Sequence, residues 1–228
     1  MSIVSIHQPN FFPWLGFFAK IRLSDTFVLL DDAEFSKGSY TNRVRISNAG
    51  VQRWLTLPIR YKSHTPINEI LTASIPWPQQ HRAILESCYR KSPHFPDLCS
   101  AIFDIYDTAP VGTLAAFNSH AINRIVELLG LNCKIIRSSD CNVKGCRDEK
   151  LAALVLKHGG DVYISGNGGK SYQDEQVFAD AGINILFNPY CEYHLNTKDQ
   201  TFIPGLSVLD WLFNFGLEGT QKALEQNR

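Results

Sequence analysis

The chain has 228 residues, 44% hydrophobic and 19% charged, with 22 basic side chains offset by 22 acidic ones. That length can bury a core without disulfide or metal staples. A net charge of zero excludes a general phosphate-backbone binder, which needs a cationic face to release counterions.

Met1 to Ile6 carries neither a basic segment nor a long apolar one, and the apolar run from Phe11 to Phe18 is interrupted by Pro13 and Gly16. No secretory signal and no membrane span are therefore expected. A cytoplasmic location follows, with Cys88, Cys99, Cys133, Cys141, Cys146 and Cys191 as reduced thiols. Cys141 and Cys146 have no second Cys or His pair at zinc-site spacing, so no metal ligands are assigned.

In chain order, Ile3–Ile6 reads as a buried strand that ends at His7-Gln8-Pro9-Asn10, where the proline favours a turn. Trp14–Leu23 has helical spacing, with Leu15, Phe17, Phe18 and Ile21 on the buried side. A second strand, Thr26–Leu30, stops at Asp31-Asp32. Strand, turn, helix and strand make a βαβ unit with a right-handed crossover. Thr41–Ile46 and Gln52–Pro58 then predict a hairpin about Asn48-Ala49-Gly50. Residues 78–129 read as helical, with breaks near Ser92-Pro93 and Pro110 and an N-cap at Thr113.

The alternation then resumes, with strands at Cys133–Arg137, Val162–Ser165 and Ile183–Phe187 and helices at Asp148–His158, Tyr172–Ala181 and Ser207–Gln226. The expected fold is α/β, a mainly parallel sheet with a β-hairpin and a helical insertion. A single α/β domain over residues 1–228 is expected, the insertion falling at about 40–130.

In open α/β sheets, ligands bind beyond the carboxyl ends of the strands, and three polar segments fall there. His7 can act as a general base or phosphate ligand, with Gln8 and Asn10 beside it as substrate contacts. The alternative is a turn whose polar side chains satisfy backbone groups. Asp31 and Asp32 can orient a sugar hydroxyl or hold magnesium, while one of the two only forms a turn. His7 and Asp32 are the catalytic candidates.

The third segment, Ser165 to Ser171, ends like a phosphate-binding loop in Gly169-Lys170-Ser171, but Ile164 stands where that pattern requires glycine. Glycines and a following helix N-terminus still suit an anion, so Ser165, Gly166, Lys170 and Tyr172 are candidates for the donor side. Arg43 and Arg45 share one face of a strand, opposite Asn42 and Val44. Such a pair can clamp a phosphate or carboxylate or form a solvated edge; Asn42 and Arg43 are taken as substrate contacts. Trp77 and His81 lie one helical turn apart and can stack a sugar or simply pack together.

Four stretches carry a family resemblance over nearly the whole chain. They are His7-Gln8-Pro9-Asn10-Phe11-Phe12-Pro13-Trp14-Leu15-Gly16, Tyr40-Thr41-Asn42-Arg43-Val44-Arg45-Ile46, Ile164-Ser165-Gly166 with Tyr172-Gln173-Asp174, and Leu206-Ser207-Val208-Leu209-Asp210-Trp211-Leu212-Phe213-Asn214. Together they resemble the WbqC-like family. The resemblance implies an α/β protein of bacterial surface-polysaccharide (O-antigen, lipopolysaccharide) biosynthesis. The expected activity is that of a transferase modifying an activated amino sugar, with a nucleotide-linked sugar as substrate, no nucleic-acid partner and no cofactor assigned.

The opening strand–turn–helix–strand also resembles nucleotidyltransferases of the HIGH-motif class, which would activate a small acid or sugar phosphate with a nucleoside triphosphate. Trp14-Leu15-Gly16-Phe17 lacks that signature's second histidine. A third alternative is a non-catalytic partner in a polysaccharide assembly complex, using Phe11-Phe12-Pro13-Trp14 as a contact patch.

Overall fold

A computed structural model describes residues 1–171, 173–188, 190 and 203–225. The chain begins with β1 (Ile3–His7), α1 (Leu15–Arg22) and β2 (Thr26–Leu29). Two short ribbons follow, β3 (Arg43–Asn48) with β4 (Val51–Thr56) and β5 (Ile59–Arg60) with β6 (Leu71–Thr72). Helices α2 (Trp77–Tyr89), α3 (Phe95–Thr108) and α4 (Leu114–Leu128) come next. The remainder is β7 (Lys134–Arg137), α5 (Arg147–Lys157), β8 (Val162–Ser165), α6 (Glu175–Asp180), β9 (Asn184–Phe187) and α7 (Val208–Glu225).

Five of the strands form one all-parallel sheet in the order β7-β2-β1-β8-β9. Numbered within that sheet, the order is 3-2-1-4-5, so the winding reverses between β1 and β8. That reversal is the switch point at which doubly wound sheets open a ligand crevice. β2 and β8 are buried along their full length, as parallel strands covered on both faces must be.

On one face Val4, Ile6, Val28 and Tyr163 pack with Leu154 and Val155 of α5 and Phe178 of α6. On the other, Phe27 and Leu29 meet Leu15, Phe17 and Phe18 of α1, and this core runs on through α2–α4 into Leu209, Leu212 and Phe213 of α7. No helix among the described residues is long and apolar enough to cross a membrane.

The parallel sheet, the hairpin and the helical insertion appear as expected. Thr113 caps α4 by accepting from the Ala116 amide at 3.2 Å, and Ser207 caps α7 by accepting from that of Leu209 at 3.2 Å. The hairpin strands are offset from expectation because the turn is only Ala49-Gly50, both at positive φ (50° and 80°). That is the hairpin geometry that lets pairing run up to Asn48 and Val51. The β5–β6 ribbon has no signature in the sequence, since two-residue strands carry no readable period.

The helix expected from Tyr172 begins instead at Glu175, with Asp174 accepting from the Gln176 amide at 3.0 Å. Asn167–Ser171 forms a 3-10 turn, and Tyr172 lies outside the described residues. The glycine loop therefore does not run straight into an α-helix N-terminus, and the anion argument drawn from that geometry falls.

α7 is latched to the hairpin. The Tyr89 hydroxyl donates to Asp210 Oδ1 at 2.9 Å and accepts from the Ser47 amide at 3.1 Å. Burial pushes the Asp210 carboxyl up to about 6. Between about pH 4 and 6 the folded state then holds a proton that the unfolded state releases, so this group's contribution to stability declines as pH rises through that window. Asp210→Asn keeps an acceptor for Tyr89 and is expected to lack this decline. Urea melts of both proteins across the window test it, and parallel stability curves for wild type and variant would refute it.

Candidate functional site

The His7–Asn10 turn leaves β1 at the switch point. His7 Nδ1 lies 3.0 Å from the Gln8 carbonyl. A carbonyl only accepts, so Nδ1 carries the proton and Nε2 keeps the lone pair. The ring packs edge-on against Phe17 (5.1 Å) and Trp14 (5.7 Å). Burial, reinforced by the Lys20 charge, lowers His7 to about 3. It is therefore a neutral imidazole throughout the physiological range.

This turn is clamped to the segment before β3. Asn118 of α4, fully buried, donates through Nδ2 to both the Pro9 and Thr41 carbonyls at 2.7 Å. The Phe11 amide donates to the Tyr40 carbonyl at 3.0 Å, and Thr41 Oγ1 reaches Gln8 Oε1 at 3.4 Å. Asn10 is buried beside them. The Asn42 side chain donates to the Leu57 carbonyl at 3.1 Å, so this amide extends the hairpin edge.

Arg43 and Arg45 lie on the face of β3 opposite the buried Val44 and Ile46. Rings carry this face back to His7: Trp14 is 5.8 Å from Tyr40, and Tyr40 is 5.8 Å from Trp54. The Arg43 guanidinium sits 4.2 Å above Trp54, and that of Arg45 lies 5.8 Å from Tyr40. Arg43 also donates to the Gly38 carbonyl at 2.6 Å, and Arg45 to the Pro204 carbonyl at 3.2 Å. Neither forms an ion pair with a carboxylate among the described residues, and the buried Nε of each has no partner there.

Across the switch point, the buried Ser165 hydroxyl donates to Gln173 Oε1 at 2.6 Å, and Gln173 Nε2 donates to the Tyr163 hydroxyl at 3.3 Å. Gly169 is glycine because a Cβ there would lie 2.4 Å from both Ser165 Oγ and Gln173 Oε1. A Cβ at Gly166 would meet nothing within 4 Å. Lys170 is exposed, 5.2 Å from the Phe187 ring. Asn188, just past β9, donates its amide to the Ser165 carbonyl (2.8 Å) and its side chain to the Gly16 carbonyl (3.0 Å). It thereby ties the β8 exit to the start of α1.

The two aspartates separate in role. Asp31 is fully buried and accepts from the Ser139 amide (2.9 Å) and Ser139 Oγ (2.7 Å), which fixes the turn after β7. Asp32 accepts from Ser138 Oγ at 2.5 Å and pairs with Lys150 Nζ at 2.7 Å. Trp77 and His81 are both buried, 5.1 Å apart, with His81 Nε2 at 2.9 Å from the Thr56 carbonyl; they are a packing pair. No group of three or more His, Cys, Asp or Glu side chains suited to a metal occurs among the described residues.

The C-terminal helix closes this arrangement. Ser207 Oγ donates to the Phe12 carbonyl at 2.8 Å, the Val208 amide to that of Pro13 at 2.8 Å, and the Ser207 amide to that of Arg45 at 2.8 Å. Stretches near residues 10, 43 and 207 thus meet beside the turn that follows β1. The WbqC-like protein family model matches residues 8–222. The chain belongs to the WbqC-like protein family. It is also similar to uncharacterized protein Rv1507c of Mycobacterium tuberculosis, 32% identical over 221 residues and covering 96% of each chain. No solved structure matches it.

In this WbqC-like chain the histidine turn, the Tyr40–Arg45 segment and the start of α7 are hydrogen-bonded to one another, and the β8 exit faces them across the switch point. Asn118, Lys150 and Lys20 carry no motif in the sequence, and Gln173 enters it only within the Tyr172-Gln173-Asp174 stretch. Asn118 had a readable signal, an amide inside the apolar stripe Leu114, Phe117, Ala121, Ile122 and Ile125.

Proposed function

We propose that this WbqC-like chain is a cytoplasmic transferase of bacterial surface-polysaccharide (O-antigen) biosynthesis, modifying a nucleotide-linked amino sugar in the crevice between β1 and β8. The observation that carries the reading is the 3-2-1-4-5 strand order, with the His7 turn on one side of the reversal and the Ser165–Lys170 loop on the other.

His7 Nε2, unprotonated in this tautomer, takes the proton from the sugar's amine or hydroxyl as that group bonds to the transferred group and the bond from that group to its carrier breaks, the carrier leaving with the electron pair. Arg43 binds the anionic group, with Gln8, Asn10 and Asn42 shaping the turn around it. The rings of Trp14, Tyr40 and Trp54 offer faces for a sugar. Gly166 and Lys170 line the donor side, whereas Ser165 holds Gln173. Asp32, paired with Lys150, orients the acceptor and does not serve as a second base.

A thermal-shift screen of the purified protein tests the reading, with nucleotide-linked sugars, nucleoside triphosphates and acyl-coenzyme A compounds, each with and without magnesium. A ligand at about 100 times its dissociation constant stabilises the fold by roughly 2.7 kcal/mol. Stabilisation by nucleotide-linked sugars is expected. A response confined to triphosphates with magnesium would replace the proposal by nucleotidyl transfer, and a flat panel would remove both.

A further inference from the structure

Lys20 is the one lysine of α1's buried face, 2% exposed, among aromatic side chains and 5.5 Å from the Phe27 ring. Its place follows from the sheet. Alternate carbonyls of a strand point to opposite neighbours: those of Ile3 and His7 accept from Asp25 and Leu30 on the β2 side, and that of Ser2 accepts from Val162 of β8. The Ile6 carbonyl therefore faces β8. Pairing of β1 with β8 ends at Ser5 and Ile164, and Ile6 accepts instead from Lys20 Nζ at 2.8 Å. The amine occupies the gap where the two strands part, at the switch point.

Among the described residues no carboxylate pairs with it. Burial lowers the amine to about 7, with no carboxylate among the described residues acting on it. Among the titratable groups around it, His7 on β1 is neutral, and β2 presents the Phe27 ring. The carboxylates beyond β2 are committed elsewhere, Asp31 to Ser138 and Ser139 and Asp32 to Lys150. Arg43 and Arg45, linked to His7 through Trp14, Tyr40 and Trp54, also lack carboxylate partners among the described residues. A buried ammonium without a counter-ion is strongly unfavourable, and an anion nearby in low dielectric is correspondingly well held.

We infer that a second anionic group of the switch-point ligand, other than the one held by Arg43, is the missing counter-ion of Lys20, so that ligand binding and protonation of Lys20 are coupled. The inference rests on the ligand lying at the switch point, and it adds what that ligand must carry: a phosphate, sulfate or carboxylate charge placed over β1's last residues. By linkage, each raises the affinity for the other by the same factor.

The probe is inorganic sulfate, whose charge is fixed near neutral pH, added to full-length protein carrying 13C-labelled lysine. Lys20 is identified by its nuclear Overhauser contacts to Phe27 and by its absence in Lys20→Met; the contacts suffice if that variant does not fold. In chloride, Lys20 is expected to titrate near neutrality. In sulfate at matched ionic strength, its proton affinity should rise at least about tenfold. Equal midpoints in the two salts, or an ordinary lysine midpoint in chloride, would overturn the inference. Equal midpoints alongside a nucleotide-sugar hit in the thermal screen would sink the Lys20 coupling alone. A sulfate response with no nucleotide sugar bound would sink the sugar reading and leave an anion site.

Discussion

Asn118→Leu is expected to lower the unfolding free energy by about 3 kcal/mol. One amide nitrogen serves two buried carbonyls, those of Pro9 and Thr41, and no water can replace it in so closed a place. Leaving a buried polar group unpaired costs roughly 1–3 kcal/mol each. Against this, leucine removes the Asn118 Oδ1, which is buried without a partner among the described residues, and that gain offsets part of the loss. Leucine keeps the branched skeleton, but its methyls need more room than the 2.7 Å contacts of the amide leave, so overpacking adds to the deficit. Urea denaturation measures it. A change below about 1 kcal/mol would mean that the two carbonyls find other donors and that the histidine turn is not held by α4.

His7→Ala is expected to reduce turnover about 100-fold with the donor and acceptor that the ligand screen identifies. The ring also packs on Trp14 and Phe17, so a stability loss of about 1 kcal/mol should accompany it. The two effects separate by pH. Because the folded-state value is about 3 and the ordinary one 6.5, the unfolded chain binds a proton that the folded chain refuses. Wild-type stability therefore falls as pH drops from about 6.5 toward 3, and the variant lacks that component. Single-turnover rates and urea melts at neutral and mildly acidic pH test both halves. Unchanged turnover in a folded variant would remove His7 from the reaction.

The parallel sheet was legible because its strands are short apolar runs bounded by polar turns. β8 falls at its expected limits, Val162–Ser165, and β2 closes one residue early, at Leu29. The partners of the glycine loop were not legible, for a physical reason. Sequence marks where backbone can bend, but whether Gly169 serves an anion or a neighbour depends on what approaches it, and Gln173 from four residues on does so.

Asp31 and Asp32 are indistinguishable in sequence, yet Ser138, Ser139 and Lys150, more than a hundred residues later, divide their roles. Lys20 stayed hidden for a related reason. At the end of an eight-residue amphipathic helix a lysine is ordinarily taken as solvated, and only the separation of β1 from β8 supplies the carbonyl that draws it inward.

The bond from Ser207 to the Phe12 carbonyl joins residues 195 apart in sequence. The turn after β1, synthesised long before α7, therefore waits for that helix before it is pinned. Contacts of such separation carry a large loop-closure cost and slow folding. During synthesis the aromatic run Phe11-Phe12-Pro13-Trp14 stands without its final cover, so the nascent chain is most exposed to aggregation just before α7 emerges.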